Sequence, residues 1–423
     1  MKKLFMFVLL TVGMLVISNV NAAGVAPTLD GKNFFAMGNA ITISERTDGE
    51  AGAKITWDGG SMNVGADVSV FGADHFSDVV YEETNITMNG GTLRNIFGGG
   101  FHKSHVKVTN VVVNGGKVTG IVHGGGAASF SGTTCHQPWY AGVASESPTI
   151  VDEANVTVND GEIYIVYGGG EGISATKETT VIINDGKIGY AIAGGSNGYT
   201  GEATMEVNGG EITTLQAVNR GSMKSSEIEV NGGKIENAYV AGDSSDSGVN
   251  GTIEEATMNV YGGEVKKLMP GSNGGPNTPA TDVVTLNYVK SAVEDLADNF
   301  DEDKIEVYVT ITFVGEEEGD IESIPVPKGF KFTTDQLQTV IDEINKALKE
   351  DNLELDGFYT DEKFTEKFDF TNEINEDVIV FVKTAKLAEV TNPETSDINV
   401  IALIGLMALG ALGLGYTVKK RFN

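Results

Sequence analysis

The sequence predicts a mainly β chain: a right-handed parallel β-helix, then a small α+β module, then a C-terminal apolar helix. Three observations lead there. An apolar-polar-apolar triplet followed by a glycine turn recurs through the middle of the chain. Its spacing clusters near 24 residues. The glycine punctuation stops near Asp295, where a different pattern begins.

The recurring stretches read "ITWDGGSM", "ITMNGGTL", "VVVNGGKV", "VTVNDGEI", "VIINDGKI", "MEVNGGEI", "IEVNGGKI" and "MNVYGGEV". The residue before each turn pair is Asp58, Asn89, Asn114, Asn159, Asn184, Asn208, Asn231 and Tyr261, with gaps of 31, 25, 45, 25, 24, 23 and 30. The positions three and one before it are apolar in all eight copies, from Ile55 and Trp57 to Met258 and Val260. That period of two marks a strand with one buried face. Asn and Gly tolerate positive φ, so the chain turns there at little cost, and Gly115 is expected to need that conformation. A second short strand follows, carrying Met62, Leu93, Val118, Ile163, Ile188, Ile212, Ile235 and Val265 at one position. Many units then reach another corner: "FGGG", "HGGG", "YGGG" or "AGGS".

Three short strands and glycine corners in a unit of this length describe one coil of a solenoid over residues 42–290. A single coil cannot bury its own apolar face; coils above and below must cover it. An antiparallel sandwich also repeats, but its turns do not return at a fixed interval. Roughly ten coils fit, one strand spacing apart. Asn89 to Asn231 then stack as an amide ladder. The residue after each glycine pair reads Lys117, Glu162, Lys187, Glu211, Lys234, Glu264, so signs alternate from coil to coil. Exposed pairs contribute about 0–1 kcal/mol each, so the alternation serves register more than stability. In composition the region resembles the glycine-rich repeat stalks of bacterial adhesin-like surface proteins.

Residues 305–386 form the next module. "IEVYVTITFV" alternates as a strand, and a helix lies within "FTTDQLQTVIDEINKALKED", with Leu337, Val340, Ile341, Ile344 and Leu348 on one face. Thr333 and Gln336 fit a capping box. Beyond the helix come Phe358-Tyr359-Thr360-Asp361, Phe368-Asp369-Phe370 and Asp377 to Lys383. These resemble the Listeria–Bacteroides repeat, the internalin-type B-repeat of bacterial surface proteins. The resemblance implies a β-grasp-like module serving as spacer or interaction unit. Phe358 stands where that family commonly has Trp, and the long helix stands where a Pro-rich loop is usual.

Both ends carry targeting patterns. Lys2 and Lys3, the apolar run to Ile17 and Val20-Asn21-Ala22 read as a signal peptide over residues 1–22. At the other end, residues 387–397 form a linker, residues 398–418 an apolar stretch long enough to span a bilayer, and residues 419–423 a basic tail. The linker contains Asn392-Pro393-Glu394-Thr395-Ser396. Pentapeptide, apolar span and basic tail, in that order, resemble the Leu-Pro-any-Thr-Gly sorting signal of Gram-positive cell-wall proteins. The resemblance implies a sortase-type transpeptidase that attacks the Thr395 carbonyl, expels Ser396 and passes the chain to peptidoglycan. Asn392 replaces the family's Leu and Ser396 its Gly.

Composition narrows the partners. With 59 acidic against 29 basic residues the net charge is −30, which repels nucleic acid and anionic membranes. The lone cysteine, Cys135, excludes an intrachain disulfide. All five histidines, His75, His102, His105, His123 and His136, lie within one stretch, but only His102-x-x-His105 has ligand-like spacing, so no metal or other cofactor is expected. His123 precedes a glycine corner as Phe97 and Tyr167 do, which predicts a stacked ring column. Asp152-Glu153 is a lone acidic pair in a loop, and no acidic cluster on one strand marks catalysis. The insertion at residues 127–149 brings Phe130, His136, Trp139 and Tyr140 to a candidate ligand-binding loop. The expectation is a non-enzymatic stalk or adhesin on the wall of a Gram-positive bacterium, binding a glycan or a host surface protein. A wall-anchored β-helix polysaccharide lyase or hydrolase is the alternative.

Overall fold

A computed structural model describes residues 25–75, 79–128, 149–172, 174–243, 251–274, 278–316, 321–349 and 353–386. The expected signal peptide, residues 129–148, the expected sorting pentapeptide, the apolar stretch and the basic tail lie outside the described residues. Among the described residues no helix is long and apolar enough to cross a membrane. Among the described residues the chain is mainly β, 60% strand against 6% helix, with long parallel sheets consistent with a β-solenoid. The chain divides into two compact units between Ile305 and Glu306.

In the first unit, one sheet stacks Asn33–Phe35, Ser69–Phe71, Asn95–Phe97, Lys117–His123, Glu162–Tyr167, Lys187–Ile192, Glu211–Gln216, Lys234–Tyr239, Glu264–Met269 and Val293–Leu296 in that order. Among the described residues this sheet has ten rungs, of which the first and last, Asn33–Phe35 and Val293–Leu296, lie outside residues 42–290. The second sheet stacks the longer strands, among them Ser104–Val113, Thr149–Val158, Ser174–Ile183, Ser196–Val207, Arg220–Val230 and Thr252–Val260. Each long strand bends once. Val106 pairs with Val151 and Val108 with Glu153, while Lys107 and Asp152 drop out of the pairing. The same skip occurs at Lys177 against Gly201. A coil therefore has three straight segments, as the corners predicted. Asp152 and Glu153 lie in a strand at and beside this bend, not in a loop.

Like residues stack on like. Val111, Val156, Val181, Met205, Ile228, Met258 and Leu286 are in register from coil to coil, and all are buried. The amide ladder is present: Asn114 Nδ2 donates to Asn89 Oδ1 at 2.8 Å, Asn159 to Asn114 at 2.7 Å, Asn184 to Asn159 at 2.7 Å and Asn208 to Asn184 at 3.0 Å. A second, shorter ladder joins Asn155 to Asn110 and Asn110 to Asn85. Lys117 pairs in register with Glu162, Glu162 with Lys187, Lys187 with Glu211, Glu211 with Lys234, and Lys234 with Glu264. Lys117 Nζ lies 2.6 Å from Glu162 and Lys187 Nζ 3.6 Å from Glu211.

Two parts of the repeat reading need correction. The copy at Asp58 is not a coil: Ala53–Trp57 and Gly60–Val64 form an antiparallel hairpin, and Ile41–Ser44 supplies that rung of the second sheet. At the far end Val284–Val289 and Val293–Leu296 add a rung with no glycine turn, so stacking continues past residue 290. The turn glycines are also assigned differently. In the seven copies from Asn89 to Tyr261 positive φ falls on the second residue of the pair, 96° at Gly116, and Gly115 is not among the positive-φ positions; in the hairpin copy it falls on the first, Gly59. Asp160 and Asp185 occupy the first position of two copies, in keeping with an ordinary backbone there. The triple-glycine corners have another cause: a Cβ on Gly98 would lie 2.2 Å from the Gly124 carbonyl of the next coil. There the coils approach too closely for any side chain.

The second unit is a mixed sheet ordered Ile321–Pro327, Ile305–Val314, Val378–Lys386, Leu353–Tyr359, with only the central pair parallel. Helix Thr334–Leu348 buries Val340, Ile344 and Leu348 against Phe313, Phe358 and Phe370, with Leu337 and Ile341 partly buried beside them. The capping box forms: Gln336 Oε1 accepts from Thr333 N at 2.9 Å, and Thr333 Oγ1 from Gln336 N at 3.3 Å. The expected Asp361 turn is held by its carboxylate, which accepts from the backbone N–H groups of Lys363, Thr365 and Glu366.

Gly116→Val forces a β-branched residue to positive φ and drives its Cβ within 2.8 Å of the Gly91 carbonyl. It is expected to destabilise the unit by about 2–4 kcal/mol. Gly115→Ala, whose nearest neighbour would be 3.6 Å away, should leave the denaturation midpoint nearly unchanged. Equal effects at the two positions would refute the assignment of the turn.

Lys187→Glu sets three carboxylates in adjacent rungs between Glu162 and Glu211. The melting temperature should fall slightly at low salt and recover at high salt, because these side chains are exposed. A salt-independent loss would rule out a like-charge ladder as its cause.

Candidate ligand-binding face

The expected sorting residues Asn392, Pro393, Glu394, Thr395 and Ser396 and the candidate loop residues Phe130, His136, Trp139 and Tyr140 lie outside the described residues, as does Cys135. The other histidines are placed. Among the described residues no three His, Cys, Asp or Glu side chains come together as a metal-binding group. His105 Nε2 faces both Asp152 carboxylate oxygens at 3.3 Å. His102, at a φ of 59°, lies with its ring 3.9 Å from Phe101 and 5.5 Å from His75.

His123 sits in the predicted column, which runs further than its three expected members. Phe35, Phe71, Phe97, His123 and Tyr167 stack in order, with successive ring centroids 5.2, 4.7, 5.1 and 4.7 Å apart. His123 is fully buried, and its Nδ1 lies 3.0 Å from the Gly169 carbonyl. A carbonyl only accepts, so Nδ1 carries the proton and Nε2 keeps a lone pair. That Nε2 is buried without a hydrogen bond, 4.0 Å from a Glu171 carboxylate oxygen. Burial pushes His123 down to about 3, and the bond to Gly169 offsets only part of this. Burial also raises Glu171. His123 is therefore a neutral core ring and not a ligand.

The tip of the column opens on a groove that the sequence reading did not single out. Strand Glu162–Tyr167 points Glu162 and Tyr164 outward and buries Ile163, Val166 and most of Tyr167. Tyr164 is 56% exposed. In the next coil Gly189 occupies the adjacent position: a Cβ there would lie 2.5 Å from the Tyr164 carbonyl and 3.3 Å from its ring. The missing side chain leaves the ring uncovered. Tyr190 meets Tyr164 edge to face, at 5.9 Å and 84°. Around them the groove encloses 430 Å³ and is lined also by Tyr167, Gln216, Asn219, Arg220 and Asp243.

Its polar groups are held in place. Asn219 Nδ2 donates to the Tyr167 hydroxyl at 3.1 Å, and Gln216 Oε1 accepts from the Asp243 backbone N–H at 2.7 Å. Burial, and then the nearby Asp243 carboxylate, push the Tyr239 hydroxyl up to about 12, so it stays protonated as a donor to Asp243. Two hollows adjoin. One of 480 Å³ shares Arg220 and contains Glu171 and Asn197; a trough of 990 Å³ shares Tyr164 and follows the Lys/Glu ladder from Lys117 to Glu264. The signal for this site is present in the repeat. Where Tyr164 stands, other copies carry Thr119, Gly189, Thr213, Glu236 and Lys266, so an aromatic residue at an outward position is the anomaly.

No protein-family model, curated protein or solved structure matches the chain.

Stability should record the neutral state of His123. The unfolded chain takes up a proton near 6.5 and the folded one only near 3, so stability is lost as pH falls through that window. By pH ~4 the loss from this group is about 3 kcal/mol. His123→Phe keeps the ring stack and cannot titrate, and the Gly125 backbone N–H still serves the Gly169 carbonyl. Urea midpoints at pH 7 and 4 should drop less for the variant than for the parent chain. Glu171, raised by burial, acts in the opposite direction and is common to both. Equal acid losses would show that His123 is not held neutral.

Proposed function

We propose that the chain is a non-enzymatic surface protein of a Gram-positive bacterium. In this reading a right-handed parallel β-helix is a stalk or adhesin presenting a binding face, and residues 387–423 attach it covalently to peptidoglycan. The observation that carries the binding role is the open tyrosine groove on a stack whose register is fixed rung by rung. Such a face holds side chains in place without ordering a loop, so binding loses little to conformational entropy. The order of the four strands around one helix supports a β-grasp-like spacer over residues 305–386. A polysaccharide lyase or hydrolase is disfavoured because both carboxylate oxygens of Asp152, at the strand bend, face His105.

Attachment follows from the chemistry of the linker. A transpeptidase thiolate adds to the Thr395 carbonyl, the bond to Ser396 breaks, and a peptidoglycan amine then displaces the thiol from the acyl intermediate. The apolar span holds the chain at the membrane until that cut, and the basic tail keeps its end inside.

On intact cells the protein should resist detergent and be released by a muramidase as a ladder bearing wall fragments. Thr395→Ala should leave the full-length chain in the detergent-soluble membrane fraction. Should the parent chain partition wholly into detergent with its tail intact, a simple membrane anchor replaces wall attachment.

A further inference from the structure

We propose that the groove at Tyr164 and Tyr190 binds a neutral glycan chain, laid along the stacking direction of the coils. The inference rests on the surface-protein reading above and supplies its ligand class. An aromatic side chain left more than half exposed on a rigid strand loses the burial it would otherwise gain. A pyranose ring offers a matching face of C–H groups. Tyr190 meets Tyr164 edge-on and steadies its ring, while Gly189 keeps the neighbouring rung clear.

The rest of the lining has the chemistry of hydroxyl recognition. Gln216 is almost fully buried and its amide orientation is set by the Asp243 backbone N–H. Asn219 is oriented by the Tyr167 hydroxyl. Fixed amides pair with sugar hydroxyls in both directions, as donors and as acceptors. A flat protein partner would need a larger and more apolar patch.

Charge decides the class of sugar. Along the adjoining trough, lysine and glutamate alternate on successive rungs, so no stretch of it attracts a uniform polymer charge. The chain as a whole, at −30, repels polyanions. Uronate-rich and sialylated polymers are thereby disfavoured. The trough shares Tyr164 with the groove and continues over several rungs, which suits a polymer better than a single sugar.

The test uses the full chain purified in detergent, titrated calorimetrically with mannan, xylan and chito-oligosaccharide as neutral probes and polygalacturonate as the anionic one. At least one neutral probe should bind, with an affinity little changed by salt. Tyr164→Ala should weaken it by at least about tenfold without moving the melting midpoint, and Tyr164→Phe should largely retain it. Binding of polygalacturonate alone, no neutral binding, or neutral binding indifferent to Tyr164→Ala each overturns the proposal. Cells carrying Tyr164→Ala separate the two readings. If they keep muramidase-released protein and still adhere, the surface-protein reading stands and the groove is rejected.

Discussion

Everything in the first unit depends on the backbone hydrogen bonds that hold each coil in one register on the next. A parallel stack has no turn between paired strands to set that register, so the side chains must. Because faces alternate with period two, a slip of one residue would turn every buried valine or isoleucine outward. A slip of two would keep the core apolar but would break the Asn89–Asn231 amide ladder and misalign the Lys117–Glu264 column. Each amide bond is worth about 1 kcal/mol at most. Their effect is cooperative in specificity, since all of them choose the same register. The long insertion does not break this pairing: Lys117 pairs with Glu162 across 45 residues as Glu162 pairs with Lys187 across 25, although the register shifts between Val118 and Ile121 in the first case.

A stack held by main-chain pairing must also manage its ends, because an unpaired edge invites another strand. At the N-terminal end, Thr28–Asp30 lies antiparallel on Asn33–Phe35 and closes the first sheet. The hairpin of residues 53–64 lies antiparallel against Ile41–Ser44 and covers the second. The same sequence motif thus makes a coil within the stack and a cap at its end. The difference is what lies beneath it.

The interior and the groove are two uses of the same rungs. Inside, the ring column continues only while rings of similar thickness meet, which is why His123 substitutes for phenylalanine and is held neutral to do so. The buried threonines Thr84 and Thr109 reach across the coil to the corner carbonyls of Gly98 and Gly124, both at 2.7 Å. They satisfy acceptors at the points where glycine permits close approach. On the outside, the column ends at Tyr167, whose hydroxyl enters the groove and orients Asn219. Core packing and the groove are therefore joined through one side chain.

Residue order alone determined the coil: the apolar triplets, the turn pairs, the alternating charges and the amide ladder all follow from a repeat whose period is local. The His123 column and the Thr333–Gln336 cap were legible for the same reason, being set by neighbours a fixed distance along the chain. Tertiary structure decided what local pattern cannot encode. The Asp58 copy folds as a hairpin because it lies at the end of the stack, and the rung at Val284–Leu296 forms without a glycine turn because the coil below supplies its register. Which glycine of each pair takes positive φ was settled by the path of the coil. The groove is the clearest case. Tyr164 is distant in sequence from Gln216 and Arg220, and only stacking of successive coils sets them side by side, because hydrogen bonding between rungs converts sequence period into spatial adjacency.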